Sequence, residues 1–210
     1  MSQVAPQHAS PRAARTQRRI LESASQCFAL RGFSKTTVEE VAQAAGVSKG
    51  LVYHHFGGKS ELLEALMEQT LEAWSDASNV MEHLAKTGTV RRALETMILE
   101  SLAFARENPL MHALFQLDPH VVLGLSSSAS VKHTVEKSRQ RLVEVIEVGI
   151  DSGEVRAGLD PIQTTNVVRL VIMALVEHLL DPKWIDGSDE VFVTHCLKIL
   201  FDGLFAEGSA

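Results

Sequence analysis

Apolar residues recur at spacings of three and four along most of the chain, the mark of amphipathic helices. Ile20, Ala24, Cys27 and Phe28 make the first stripe, in a helix expected from about Arg12 to Arg31. Gly32 ends it, with Phe33 placed for the apolar contact that follows a glycine cap. Thr37 and Glu40 have capping-box spacing, so a second helix starts near Thr37, with Val38, Val41, Ala42 and Ala45 facing inward. Gly46 allows a tight turn, Val47 plugs the gap, and Ser48 is a good N-cap for a third helix. Leu51, Val52 and Phe56 lie mainly on that helix's buried side, and Gly57-Gly58 breaks it. A fourth helix is expected from near Ser60, with Leu63, Leu66 or Met67, Thr70 and Trp74 at helical spacing, reaching about Lys86.

The rest of the chain continues in the same way. Val90, Leu94, Met97, Ser101 and Ala105 form one stripe, ending before Asn108-Pro109. Residues 109–117 predict a short apolar helix, and Gly124 to Ser130 a loop or frayed helix end. Val131, Val135, Leu142, Val145 and Gly149 mark a long helix. Asp160-Pro161 is a strong start signal, Asp as N-cap and Pro at the first helical position. Residues 161–180 are apolar on almost every side, so that helix must be covered nearly all round. A last helix spans roughly Ser188 to Ala206. There is no convincing alternating strand and no internal repeat, so the fold expected is all-α.

Charge divides the chain. The formal net charge is −6, yet residues 1–60 hold 8 Lys+Arg against 3 Asp+Glu, a net of +5. The remaining residues carry a net of −11. A basic head that meets an anion, joined to an acidic body, fits this asymmetry. Arg12, Arg15, Arg18 and Arg19 load the first half of the first helix with positive charge, the wrong sign for a helix N-terminus unless that end faces phosphates or open solvent. The head reads as helix, glycine turn and helix, with an apolar inner side and a polar, basic, aromatic outer side. That is the layout of a helix-turn-helix, whose second helix can enter the major groove of DNA.

Cys27 and Cys196 sit among apolar neighbours, which points to buried thiols in a reducing compartment rather than a disulfide framework. The N-terminus shows no signal-peptide h-region. The longest purely apolar run in the body, Leu170 to Val176, is far short of a membrane span. A cytoplasmic protein without membrane contact is expected.

In its first third the chain resembles the TetR family of transcriptional regulators. The matching pattern is Phe28, Gly32-Phe33, Thr36-Thr37-Val38, Val41-Ala42, Ala45-Gly46-Val47-Ser48, Leu51-Val52-Tyr53, His55-Phe56, Lys59 and Leu62-Leu63, across roughly residues 15–66. The chain departs from the family's habit at Gly57-Gly58, where an acidic residue, Asn or Ser is commoner, and at Ser60, where Glu is common. The resemblance implies an N-terminal three-helix head on a C-terminal helical bundle that dimerises and holds a ligand pocket. The helices after Pro161 and Ser188 would form the dimer interface. The division expected is a mobile tail over residues 1–11, a DNA-binding domain over 12–58, and a ligand-binding and dimerisation domain over 59–210.

Within the head, Ser48, Lys49, Gly50, Tyr53 and His54 lie on or near the outward side of the third helix. Lys49 can donate to guanine O6/N7 or to phosphate, and Gly50 lets the backbone approach DNA. Leu51 is placed to touch a thymine methyl, and Tyr53 and His54 to reach phosphate or sugar. The Thr36 and Thr37 hydroxyls are expected to make a second phosphate contact. Lys59 stands at the start of the fourth helix, where a bound phosphate would relieve its unfavourable position. The partner expected is an inverted-repeat duplex, with two heads a multiple of about 34–36 Å apart.

In the body, Trp74, Met97, Phe104, Met111, Phe115, Leu142, Met173 and Glu177 are candidates to line a pocket for a hydrophobic or amphipathic effector. Each is also a candidate for ordinary core. The 9 histidines offer general bases, but none stands in a recognisable constellation: there is no His-Glu-x-x-His, no cysteine pair, no Gly-x-Ser-x-Gly and no phosphate loop. Neither an enzyme nor a metal or cofactor site is indicated. The reading is a homodimeric regulator, a repressor released by a small effector. Its alternative is a ligand-independent or architectural DNA-binding protein.

Overall fold

The computed structural model describes residues 11–108, 110–111, 128–180 and 189–206. Its order of elements is α1 (Pro11–Arg31), α2 (Val38–Ala44), α3 (Lys49–Phe56), α4 (Lys59–Ala77), α5 (Val80–Thr87), α6 (Val90–Glu107), α7 (Ala129–Ser152), α8 (Pro161–Leu180) and α9 (Asp189–Leu204). Among the described residues the one extended pairing is an antiparallel bridge between Val155 and Phe205. The fold is all-α. The chain divides into two compact units, Met1–Met67 and Glu68–Ala210.

In the first unit, α1 packs on α2 and α2 on α3. The stripe of α1 is buried at Ile20, Ala24 and Phe28, and the Phe28 and Phe33 rings meet edge-on at 5.4 Å. Val38, Val41 and Ala42 from α2, and Val52 from α3, complete the buried side. Each fully buried valine, isoleucine or phenylalanine among them contributes about 1.5–3 kcal/mol.

Two boundaries differ from the sequence reading. The helix expected to run on to Lys86 ends at Ala77, and α5 is separate. The Ser78 hydroxyl donates to the Trp74 carbonyl at 2.6 Å, and Asn79 turns extended (ψ 92°). Both residue types compete with the helical hydrogen-bond ladder, which explains a break without Gly or Pro. At the other site, α7 begins at Ala129, inside the stretch read as a loop to Ser130. Of the short helix expected over 109–117, only Leu110 and Met111 are described, and both are helical.

The second unit is built on α6 and α8. α5 packs against α6 and α7, and α8 against α6, α7 and α9. Leu94 and Ile98 of α6, Val145 and Ile146 of α7, Leu175 and Val176 of α8, and Phe201 of α9 share one core. The start of α8 is as expected: the Asp160 carboxylate accepts from the Gln163 amide at 2.7 Å. The loop after α7 ties down two helix ends at once. The Glu154 carboxylate accepts from the amide of Val90 at 2.8 Å and that of Arg91 at 3.4 Å, capping α6 beside its Thr89 N-cap. Arg156 donates to the carbonyls of Phe205 (2.9 Å) and Asp202 (2.7 Å), closing the C-terminus of α9. The Arg91 guanidinium lies 5.6 Å from the Phe201 ring and 5.1 Å from the Phe205 ring.

The helix over residues 161–180 is not covered all round within one chain. Thr165, Val168, Ile172, Leu175 and Val176 turn inward, but Val167, Leu170 and Met173 remain exposed. On α9, Val191 and Ile199 are exposed as well.

Candidate nucleic-acid interface

The helices that would meet DNA are short, 7 residues in α2 and 8 in α3. At that length a helix gains too few internal hydrogen bonds to offset nucleation, so its ends must be satisfied from outside. Thr37 and Glu40 form the expected capping box: the Glu40 amide donates to Thr37 Oγ1 at 3.3 Å, and the Thr37 amide to Glu40 Oε2 at 2.8 Å. That amide, then the Thr37 hydroxyl, holds the Glu40 carboxyl below its ordinary pKa, and Arg31 pairs with the same carboxylate.

The turn between α2 and α3 is a Schellman motif. Gly46 adopts φ 62°, its amide donates to Gln43 O at 3.1 Å, and the Val47 amide donates to Ala42 O at 2.9 Å. A side chain at Gly46 would be strained, because the left-handed region costs an L-residue roughly 1–2 kcal/mol. Ser48 then caps α3, its Oγ accepting from the Leu51 amide at 3.2 Å. Arg19 reaches over from α1 and donates to the carbonyls of Ala45 and Gly46. Arg19 therefore braces the turn, whereas Arg12, Arg15 and Arg18 project into solvent from α1.

The outward side of α3 carries the residues the sequence singled out. Ser48, Lys49, Gly50, Tyr53 and His54 are exposed, and Leu51 is half-buried. Lys49 pairs with Glu39 of α2, and its ammonium stands 5.7 Å from the Tyr53 ring. The His54 and His55 rings touch edge-on at 5.5 Å, with His55 the more covered of the two. Gly50 has an ordinary negative φ, and a Cβ there would meet only Ser48 Oγ, at 4.0 Å. Among the described residues nothing requires glycine at that position.

Two residues expected to touch phosphate are engaged elsewhere. Thr36 is 1% exposed, and its hydroxyl is shared between the Gly32 carbonyl at 2.9 Å and the Cys27 carbonyl at 3.2 Å. It closes the end of α1 and presents no oxygen to solvent. Lys59 donates to the carbonyls of Phe33 (2.7 Å), Thr36 (2.9 Å) and Ser34 (3.3 Å), and its ammonium sits 4.3 Å from the Phe33 ring. An ammonium has three donors, so three carbonyls saturate it. The loop's own carbonyl oxygens thus take the place of the phosphate expected at Lys59. Sequence alone did not find this, because the acceptors lie 23 to 26 residues upstream. Thr37 stays exposed, as the N-cap of α2.

The pocket candidates separate in the same way. Met97, Met111 and Leu142 are buried in the core of the second unit, with Trp74 and Phe104 packed at its edge. Met173 and Glu177 lie on the exposed side of α8 instead, because helical spacing turns them away from Ile172 and Val176. Phe115 lies outside the described residues. The neighbour of Glu177, His178, is the one turned inward, its ring 4.7 Å from Phe192. Sequence reasoning also passes over Thr165, which is fully buried; among the described residues neither its hydroxyl nor the Trp74 indole nitrogen has a hydrogen-bond partner. Cys27 and Cys196 are half-buried free thiols, and burial raises the pKa of each.

A capped turn between two short helices, with a lysine, a glycine and a tyrosine exposed on the second, defines a helix-turn-helix head. Residues 20–66 match the family model described as bacterial regulatory proteins, tetR family. The HTH-type transcriptional repressor AcnR of Corynebacterium glutamicum is 31% identical over 140 residues, 61% of this chain and 71% of that protein. The HTH-type transcriptional repressor KstR2 of Mycobacterium tuberculosis is 27% identical over 141 residues, 67% of this chain and 70% of that one. Against ArpR, a probable HTH-type transcriptional regulator of Pseudomonas putida, the chain spans about half of its relative's length (49%). Among solved structures, the ketosteroid transcriptional regulator KstR2 superposes with a TM-score of 0.65 at 24% identity, covering 98% of this chain and all of the other. FadR of Bacillus subtilis, in complex with stearoyl-CoA, gives 0.70 at 19% identity over 89% of this chain and 98% of its own. The chain belongs to the TetR family of bacterial regulatory proteins.

Lys59→Met is expected to destabilise the head by about 1–3 kcal/mol, since it leaves loop carbonyls without a donor. DNA affinity falls with it, but the slope of log affinity against log salt stays unchanged. Urea titration and salt-dependent binding measure the two effects. A slope lower by about 0.9 would return Lys59 to phosphate contact.

Proposed function

We propose that this regulator is a homodimeric repressor. In this reading α3 enters the major groove at each half of an inverted repeat, and a hydrophobic or amphipathic effector releases the complex. The observation that carries the reading is the outward side of α3, where Ser48, Lys49, Gly50, Tyr53 and His54 are exposed on a helix fixed by caps at its start and by Gly57 (φ 87°) at its end. Lys49 supplies a donor for guanine or phosphate, and Tyr53 and His54 position the helix on the backbone. Thr37, at the start of α2, offers its hydroxyl and neighbouring amides to a second phosphate. The net +5 of residues 1–60 draws the head to DNA, and the −11 of the remainder keeps the body off it.

Dimerisation through α8 and α9 is supported by the apolar residues those helices leave bare. Leu170 and Ile199 are each 69% exposed and Val191 64%. Effector binding falls to the second unit. Trp74, Phe104 and the buried methionines give it an apolar lining, and the unsatisfied Thr165 hydroxyl and Trp74 indole give polar points for orientation. Structural neighbours include a ketosteroid transcriptional regulator and a FadR in complex with stearoyl-CoA, and compounds of both kinds are apolar or amphipathic. An effector that releases DNA must bind the non-DNA conformation more tightly. In the described residues no helix is long and apolar enough to cross a membrane, and the proposed place of action is the cytoplasm.

The direct test is a mobility shift with the promoter duplex of the protein's own operon, repeated with a steroid and a long-chain acyl-CoA. Retardation outcompeting heterologous DNA, and lost with one of these compounds, supports the reading. Retardation that no apolar compound affects favours the ligand-independent alternative. Gly50→Ala is expected to raise helix stability by up to about 1 kcal/mol and yet weaken operator binding, because the added methyl makes one ordinary contact, with Ser48 Oγ, and otherwise faces what docks from outside. Thermal melting and a binding isotherm would show the two effects moving in opposite directions. Leu170→Glu is expected to shift sedimentation equilibrium from dimer to monomer. A wild-type monomer at micromolar concentration would contradict the interface.

A further inference from the structure

Lys49 occupies the first position of α3, where the helix dipole disfavours a cation, and the first turn of α3 contains no acid. The compensating anion comes from the preceding helix. Glu39, in the first turn of α2, directs its carboxylate onto the Lys49 ammonium. Glu39 is itself well placed, since an anion is favoured at the start of α2. The contact depresses the Glu39 pKa and raises that of Lys49, and both side chains are about half exposed, at 57% and 49%. The head has two other acids. Glu40 is taken up by the capping box and Arg31, and Glu22 lies on α1, so Glu39 is the acid that faces the reading helix's lysine.

Resting on the DNA-binding reading above, we propose that Glu39 is a specificity-determining residue, whose ion pair with Lys49 withholds that ammonium from non-specific phosphate. A bare lysine at the groove would bind any phosphate and release a counterion each time. With Glu39 in place, Lys49 reaches a random phosphate only by exchanging one anion for another. The freed carboxylate then faces the polyanion. At the operator, the ammonium keeps one of its three donors on Glu39 while another reaches a base-edge acceptor inside the groove, so the pair is not given up there. The pair therefore lowers non-specific binding more than specific binding. It raises the ratio of the two, which decides whether a regulator finds its site among competing sequence.

The experiment measures Glu39→Gln, Lys49→Met and the double variant of the full chain, across sodium chloride concentrations, on a heterologous duplex and on the operator. Melting curves confirm folding. Glu39→Gln should tighten heterologous binding about two- to fivefold per head, the range an exposed ion pair is worth. It should steepen the salt slope by about 0.9 per head. Operator affinity should change less, and the gain should vanish in the Lys49→Met background. The proposal is overturned if Glu39→Gln leaves heterologous affinity and slope unmoved. It is equally overturned if the gain persists without Lys49, or if operator and heterologous DNA gain alike. Wild-type protein that binds no duplex at low salt would overturn the DNA-binding reading itself. Wild type that binds, with an inert Glu39→Gln, removes only this inference.

Discussion

The head depends on satisfying the ends of helices too short to stand alone. α2 and α3 have 7 and 8 residues, and their orphan amides and carbonyls find partners outside themselves. Thr37 and Ser48 serve the two starts. Two cations serve the carbonyls of the flanking segments: Arg19 those of the turn after α2, and Lys59 those of the loop before it. This arrangement fixes the position of α3 without a large core. It also separates the positive charges into those that hold the head together and those left outward on α1 and α3.

That separation bears on function. A recognition helix positions its contacts only as well as its support is rigid. Gly46 sets the turn, Arg19 ties it to α1, and Lys59 ties the start of α4 to the loop between α1 and α2, so a displacement of α4 at Lys59 pulls directly on the segment before α2. In the body, Glu154 and Arg156 play the corresponding part, joining the start of α6 to the end of α9 through one loop.

What the sequence showed and what it hid follow the range of the interactions. The capping box of Thr37 and Glu40, the Ser48 cap, the Gly46 turn and the Asp160-Pro161 start each involve neighbours within five residues, and all are legible. The α4–α5 break was missed because Ser78 and Asn79 look compatible with a continuing stripe. The roles of Thr36, Lys59 and Arg19 were hidden, since their acceptors include residues up to 27 positions away and a free lysine on a DNA-binding head invites a phosphate. Composition alone makes Met173 and Glu177 candidates for a pocket. Only the packing of α8 shows which side of an almost wholly apolar helix turns inward.

The central claim is that α3 reads DNA through its exposed side. An amide NMR titration of the full chain with an operator duplex tests it directly. The account predicts that the largest shifts fall on residues 48–54 and the start of α2, with Val52 and the core of the second unit changing little. Shifts confined to the arginines of α1, or spread over the body with residues 48–54 unmoved, would contradict it.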